Sequence, residues 1–142
     1  MLFVFALLPI SVFAQGQNNA EWWSYGWSAV DNSGKQFTAR QFAKQTPPWE
    51  KDVTKAAAPE YPYEERRRKH TGAGLFRMDI DLKTGSVRQV TVVRSTEYNR
   101  LDEAAKHALV QWRFRPNSWR ELSLPINFVM PSQVRYPLTN NG

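Results

Sequence analysis

The chain has no cysteine among its 142 residues, and its two histidines are His70 and His107. Without cysteine, neither a disulfide framework nor a thiolate metal site can form. Neither histidine has an Asp, Glu or Ser at a spacing typical of a catalytic dyad, and a zinc site needs more ligands. The sequence also has no glycine-rich phosphate loop. We therefore expect no catalytic residue, no metal and no cofactor, and we do not expect an enzyme.

Long hydrophobic runs are also scarce. The one continuous apolar stretch, residues 1–13, would reach about 20 Å as a helix, which is short of the roughly 30 Å hydrocarbon core of a membrane. The small residue Ala14 before Gln15 is typical of signal-peptidase cleavage. Residues 1–14 are therefore predicted to be a signal peptide. A truncated membrane anchor is the alternative, because no Lys or Arg precedes Lys35.

Acidic residues are outnumbered, with 13 Asp and Glu against 19 Lys and Arg. This balance favours acidic partners, an anionic membrane surface or peptidoglycan, and in an exported protein we expect no nucleic-acid partner. The densest basic run, residues 66–70, follows Glu64 and Glu65. Such a run either contacts anionic groups or, more commonly, is the solvated face of a helix.

Residues 15–58 are predicted to be an aromatic-rich N-terminal segment that ends in a linker, residues 51–58. Residues 31–34 favour a turn between two short extended pieces, and residues 38–44 favour two helical turns with Phe42 facing inward. The aromatic residues of the segment are Trp22, Trp23, Tyr25, Trp27 and Trp49. They either cover the C-terminal domain or form a carbohydrate-binding or peptide-binding surface. The second interpretation would make the chain a secreted envelope protein that binds glycan.

Periodicity becomes regular from Pro59 onward. Pro62 can begin a helix that ends near Gly72. Residues 75–82 alternate between apolar and polar side chains, which predicts a half-buried strand. A turn at residues 83–85 leads to a second strand, residues 86–95, in which a change of parity predicts a bulge between Val87 and Val90.

A second helix is predicted to start at Asn99 as its cap, with Asp102 near the positive end of the helix dipole. Its apolar stripe includes Trp112, which is expected in the core with Phe114. Residues 122–130 alternate cleanly and predict a third strand. The predicted fold class is therefore α+β, with a three-stranded antiparallel sheet packed against two helices.

Several of these residues together form an ordered series. In chain order they are Tyr61-Pro62, Gly74 at the first strand, Gly85 in the hairpin turn, Leu101-Asp102, Trp112-Arg113-Phe114 with Pro116, and finally Pro125 and Phe128. The series resembles the TonB C-terminal domain family in order and spacing. The resemblance covers about half of the chain, and the combination is specific although each dipeptide alone is weak.

The resemblance implies a periplasmic, non-enzymatic interaction domain, residues 59–131, followed by a tail, residues 132–142. It implies a third strand that lies at an exposed edge beside the first strand. In the family this edge pairs with an extended segment of outer-membrane receptors, the TonB box. The pairing couples proton-motive force, through ExbB and ExbD, to the uptake of siderophores, cobalamin and similar nutrients.

Energy-transducing members of the family resemble an uncleaved membrane anchor followed by a long Pro-rich and Lys/Glu-rich spacer. Residues 15–58 show neither feature. Two hypotheses follow. The chain is a free periplasmic module that binds without transducing energy, or it is a transducer whose true start lies upstream of Met1 and which then engages ExbB and ExbD.

The third strand is the predicted partner-binding surface. Its residues are Glu121, Leu122, Ser123, Leu124, Pro125, Ile126, Asn127 and Phe128. A proline in a sheet must turn its missing N–H to a side that needs no ladder bond. If Pro125 faces outward, so do Ser123 and Asn127, and an added strand pairs through these two residues with a gap at Pro125. Alternatively, Pro125 protects an open edge from aggregation.

A second partner-contacting region, implied by the resemblance, is Pro59, Glu60 and Tyr61. Tyr61 is alternatively a core anchor at the entrance of the domain. An open strand edge also permits a homodimer, so we keep a homodimer as a further expectation.

Overall fold

The computed structural model describes residues 26–42 and 45–138, which fold into an α+β arrangement. The predicted signal peptide, Trp22, Trp23 and Tyr25 lie outside the described residues. The strands are β1 Ser28–Asp31, β2 Gln36–Thr38, β3 Val53–Lys55, β4 Gly72–Ile80, β5 Val87–Arg94, β6 Arg113–Phe114, β7 Trp119–Val129 and β8 Gln133–Arg135. The α-helices are α1 Tyr63–Arg67 and α2 Asn99–Leu109, and short 3-10 turns span Ala39–Phe42 and Glu50–Asp52.

The main sheet is antiparallel and has the strand order β2-β1-β7-β4-β5, with β8 pairing the far end of β7. The predicted set of three strands is present as β4, β5 and β7, and β7 pairs beside β4 as expected. The prediction of a three-stranded sheet was nevertheless wrong, because the sheet has six strands. The additional strands come from segments that are too short to show a period in the sequence.

The hairpin of β4 and β5 follows the sequence prediction closely. Its register shifts where Asp79 pairs Gln89 but Ile80 pairs Val87, which leaves Arg88 as an extra residue. The predicted bulge between Val87 and Val90 is therefore confirmed. A second shift leaves Val93 unpaired. Gly85 has φ 79°, and a Cβ there would lie 1.8 Å from the Phe114 carbonyl oxygen, so the turn requires glycine.

Helix α2 packs on the sheet through Leu101, Ala105 and Leu109, all of them fully buried. Trp112 and Phe114 are in the core as predicted. The predicted cap at Asn99 was wrong, because Tyr98 occupies the cap position and makes no side-chain cap bond.

Asp102 holds the loop before α2. Its carboxylate accepts hydrogen bonds from the Thr96 backbone N–H at 2.8 Å, from the Thr96 hydroxyl at 2.7 Å and from the Ser95 hydroxyl at 2.6 Å. A carboxylate in the first turn of a helix is also favoured by the helix dipole. Asp102 therefore contributes more than the dipole interaction that the sequence indicated.

The N-terminal segment packs on the domain. Trp27 is 3% exposed and Trp49 is 0% exposed, so both cover the core and neither presents a ring to a glycan. Residues 51–55, interpreted from the sequence as part of a linker, hold a 3-10 turn and β3, which pairs with β6. The predicted turn at residues 31–34 joins β1 and β2, and Phe42 is half-buried against Trp27 at a centroid distance of 6.0 Å.

Asp52 connects this segment to the turn that follows β6 and to the start of β7. Its carboxylate accepts hydrogen bonds from Arg115 Nη1 at 2.7 Å and from Trp119 Nε1 at 2.8 Å, and it lies 3.0 Å from Lys51 Nζ. Burial raises the pKa of Asp52, but these hydrogen bonds and the positive charges of Lys51 and Arg115 outweigh it and hold the pKa below its ordinary value. Within residues 26–42 and 45–138, no helix is long and apolar enough to cross a membrane.

Candidate functional site: the outer edge of β7

Strand β7 is the centre of the predicted binding surface. On its inner side β4 pairs with it from Gly72 opposite Phe128 to Asp79 opposite Glu121. Alternate side chains face the helices, and all of these are 0% exposed: Leu122, Leu124, Ile126 and Phe128. The backbone groups on the inner side of the predicted site therefore pair with β4, and the side chains on its core face are buried. What remains for a partner is the outer backbone edge.

The outer edge of β7 is covered at both ends by the chain itself. Strand β1 pairs antiparallel with its first half, with Ser28 opposite Ser123. Strand β8 pairs with its last residues, with Arg135 opposite Asn127. The expectation of an exposed edge was therefore wrong. It failed because β1 and β8 have four and three residues, and a period of two cannot be recognised over so few positions.

Hydrogen bonds of the β1–β2 hairpin show which way the backbone of β7 points. The Asp31 N–H donates to the Lys35 carbonyl, and the Ala39 N–H donates to the Trp27 carbonyl. Odd-numbered residues of β1 thus face β2, so Ser28 faces β7, where it lies opposite Ser123. By alternation Ser123, Pro125 and Asn127 all point outward, which is the orientation that the sequence argument required.

A gap separates the two covering strands. Among the described residues, Leu124, Pro125 and Ile126 have no partner on the outer side, and the missing N–H of Pro125 falls inside this gap. Three residues of a strand span about 10 Å. A longer strand that pairs through both Ser123 and Asn127 must therefore take the place of both Ser28 and Arg135.

The second predicted region is divided by the fold. Pro59 is buried, Glu60 is exposed, and Tyr61 is half-buried. The Tyr61 ring packs on Phe128 with centroids 5.3 Å apart, and its hydroxyl donates to the His70 carbonyl oxygen. This packing favours the alternative interpretation of Tyr61 as a core anchor, and the contact brings the region against the end of β7.

The ordered series and the sheet geometry agree with a known family. A sequence model described as Gram-negative bacterial TonB protein C-terminal matches residues 57–130, just over half of the chain. The chain belongs to the TonB C-terminal domain family. A stretch of 44 residues is also 41% identical to Protein TonB of Neisseria gonorrhoeae. It covers 31% of this chain and 16% of the length of that protein.

A groove that the sequence did not indicate lies near the start of the TonB C-terminal domain. The groove has a volume of about 670 Å³ and lies between residues 57–62 and α2. Its walls include Glu60, Arg100, Glu103 and His107. Ala104 and Ala108 of α2 also line the groove, and these small residues are a sequence signal that could have indicated it.

The basic run of the domain lies largely in solvent. Arg66, Arg67, Arg68 and Lys69 are exposed, as the solvated-face interpretation expects. His70 Nδ1 lies 2.9 Å from Glu65 Oε2, and the His70 ring stacks on Tyr98. The spacing of Glu65 and His70 in the sequence did not indicate this contact. Within the described residues, no group of three His, Asp or Glu side chains could hold a metal ion.

Proposed function

We propose that this periplasmic TonB-like protein docks an extended segment of an outer-membrane TonB-dependent receptor, the TonB box. The segment adds as a strand to the outer edge of β7, within Glu121–Phe128, and Pro59–Tyr61 is a secondary contact region. The biological role is in the uptake of scarce nutrients such as siderophores or cobalamin. The proposal concerns docking, and energy coupling through ExbB and ExbD is not part of it.

The observation that carries the proposal is that the outer edge of β7 already accepts added strands. Two unconnected segments, β1 and β8, pair with it from opposite ends of the chain. Both strands pair through their main chains, which is the interaction that strand addition uses for affinity. The family match supports the periplasmic class of the domain.

The edges of the sheet that remain free are poor alternatives. Strand β5 is interrupted by extra residues at Arg88 and Val93. Bulges of this kind twist an edge away from pairing. Strand β2 has three residues, and the Thr38 N–H on its far side is already donated to Gln41 Oε1 at 2.8 Å. Residues 121–128 of β7 pair with β4 without a register shift, so this part of β7 is the best platform for a partner strand.

A titration with synthetic TonB-box peptides tests the proposal. We expect the backbone amide resonances of residues 121–129 to shift on binding, because the added strand changes their hydrogen bonds. Shifts confined to the groove beside α2 would contradict it.

Substitution of Asn127 sharpens the test. Asn127→Pro removes an outward N–H and should abolish peptide binding without unfolding the domain, because that N–H faces the three-residue strand β8 and the inner side carries no ladder bond from this residue. Asn127→Ala is the matched control, since it keeps the N–H and should bind like the unmodified protein. Equal binding by the Pro and Ala variants would rule out pairing through this residue.

A further inference from the structure

The docking edge has an occupant that belongs to the same chain. A partner strand that pairs with Ser123 must first displace Ser28, because both partners need the same outward backbone groups. The described part of the sheet offers no second regular edge, as the bulges of β5 and the short β2 show. The fate of the hairpin formed by β1 and β2, residues 28–38, therefore decides whether the first half of the edge, around Ser123, is available.

Strand β1 is held on β7 mainly by main-chain hydrogen bonds. Ala29 is 1% exposed and is the buried residue of β1, while Ser28, Val30 and Asp31 are half-buried. An alanine removes little apolar area from water, so its burial stabilises the pairing weakly. The pairing also breaks register between Val30 and Asp31.

Polar contacts at the hairpin turn lie at the surface. The Asn32 N–H donates to the Ser118 carbonyl at 3.0 Å, and Arg120 Nη2 donates to the Asn32 carbonyl at 2.8 Å. The contact from Arg120 is exposed to solvent. Such exposed bonds add little net stability, because water replaces them when the turn opens.

The aromatic rings around the hairpin contact mainly one another. Trp27 lies 6.0 Å from Phe42 and 5.9 Å from Trp49, and Phe37 lies 6.2 Å from Phe42. The ring contact that links this group to β7 is between Phe37 and Trp119, at 5.4 Å. Displacement of the hairpin from β7 therefore breaks one ring contact with that strand, and the rings outside residues 28–38 can keep their places in the core.

We propose that the hairpin of residues 28–38 is a built-in competitor that closes the docking edge and gives way to the partner strand. This inference rests on the proposed function, since it names how that same site is regulated. The domain alternates between a closed form, in which β1 pairs with β7, and an open form that binds. The apparent affinity for a partner is the intrinsic affinity multiplied by the open fraction.

The hairpin also indicates which strand the edge accepts. The residue opposite Leu122 is Ala29, which is fully buried at that place. A partner segment therefore needs an extended backbone and a small apolar residue opposite Leu122. A bulky side chain at that position would have to displace core atoms.

A reversible lock tests the competition. Ser28→Cys combined with Ser123→Cys places two cysteines directly opposite each other, and no native cysteine can interfere. Oxidation pins β1 to β7, and reduction frees it. We expect TonB-box peptides, measured by calorimetry, to bind the oxidised form at least about tenfold more weakly than the reduced form, because the open fraction falls.

A second cysteine pair is the control for the lock, and a proline variant with its own alanine control makes the opposite change. Arg77→Cys with Thr91→Cys links β4 to β5, away from the outer edge of β7, so its oxidation should leave binding unchanged. Ser28→Pro removes an N–H that faces β7 and should raise the apparent affinity, whereas Ser28→Ala keeps that N–H and should not.

A second probe separates this inference from the proposed function. The probe is a fluorescent peptide of residues 26–32, Gly-Trp-Ser-Ala-Val-Asp-Asn. Its binding to the Ser28→Pro variant, and its exclusion by the oxidised lock, would support the hairpin as competitor even if no TonB-box peptide binds. That result would overturn the receptor class alone. TonB-box binding that is equal in the oxidised and reduced locks would overturn the competitor and leave the proposed function standing. Failure of both probes with every variant would overturn both.

Discussion

The two strands that cover the outer edge of β7 differ in what holds them. Strand β1 continues into an aromatic cluster around Trp27, and the Asp52 carboxylate fastens the following segment to Arg115 and Trp119. Strand β8 has three residues. In the described part of the chain, the side-chain hydrogen bond of Arg135 goes to Gln133 of the same strand.

The difference shows that one edge can be covered in two ways. The first half of β7 is closed by a structured hairpin that carries its own apolar contacts. The last residues are closed by a short return of the chain, in which Val134 is half-buried and Tyr136 behind it contacts Trp112 at 6.1 Å. The hairpin should therefore contribute more to stability, and its removal should have the larger effect on the edge.

The largest expected effect comes from removing the aromatic anchor of β1. Trp27→Ala should lower the free energy of unfolding by about 3–5 kcal/mol, because a nearly fully buried large ring is lost. Urea unfolding measures the loss, and hydrogen exchange should show faster exchange at Ser28–Asp31 than at β4. Trp27→Phe is the control and should retain most of the stability. A loss of less than about 1 kcal/mol for Trp27→Ala would mean that the cluster does not hold the hairpin.

A smaller effect is expected at Asp52. Asp52→Asn keeps an acceptor for Trp119 Nε1 but removes the charge that pairs with Arg115, and should cost about 1–2 kcal/mol because Arg115 is largely exposed. The folded-state pKa of Asp52 lies below the ordinary 3.8. The stabilisation by the carboxylate is therefore fully present above the unfolded-state pKa and is lost as pH falls through the folded-state pKa.

The pH dependence supplies the measurement. Urea unfolding of both proteins from neutral pH down to the acid limit should show a difference in stability that shrinks at low pH. A difference that stays constant over this range would contradict a role for the charge of Asp52. Arg115→Lys is a useful companion, because it keeps the positive charge and loses the fixed geometry of the guanidinium.

The smallest expected effect is on β8. Val134→Ala should lower the free energy of unfolding by about 1 kcal/mol, since the side chain is half-buried and packs on the edge of the core. Unfolding in urea measures the change. Gln133→Ala, at an exposed position, is the control and should be neutral within about 0.5 kcal/mol. If Val134→Ala costs as much as Trp27→Ala, the two coverings are equally strong and the comparison fails.

Regular periods made part of the fold predictable. The alternation in β4 and β7 and the parity change in β5 each involve many consecutive positions, so the hairpin, the bulge at Arg88 and the strand 122–130 followed from the residues. The cap at Asn99 could not be distinguished in the same way. The start of α2 is held by hydrogen bonds from Ser95 and Thr96 to Asp102. These bonds depend on how the loop before the helix folds back, which the sequence pattern does not show.

The sequence placed the candidate site on the third strand and gave a condition for its backbone orientation, but it did not predict that the edge is covered. Pro125 indicated which side of β7 faces outward, because an imino nitrogen cannot donate a ladder bond. Strand β1 lies 88 or more residues from its partners in β7, and β8 has only three residues. No local sequence pattern therefore indicates that either strand pairs with β7. The groove beside α2 was not predicted for the same reason, because its walls come from separate parts of the chain.

The sequence by itself determined the α+β class and the family, and the family resemblance implied the pairing of β7 beside β4. It also made the outward orientation of Ser123 and Asn127 follow from that of Pro125. The class and this condition rest on local chemistry: alternation of apolar residues, glycine in a tight turn and the missing N–H of proline. The tertiary structure decided whether that outward face is free. Pairing of short segments gains its free energy from contacts that are distant along the chain, and those contacts place β1 and β8 on the edge that a partner would need.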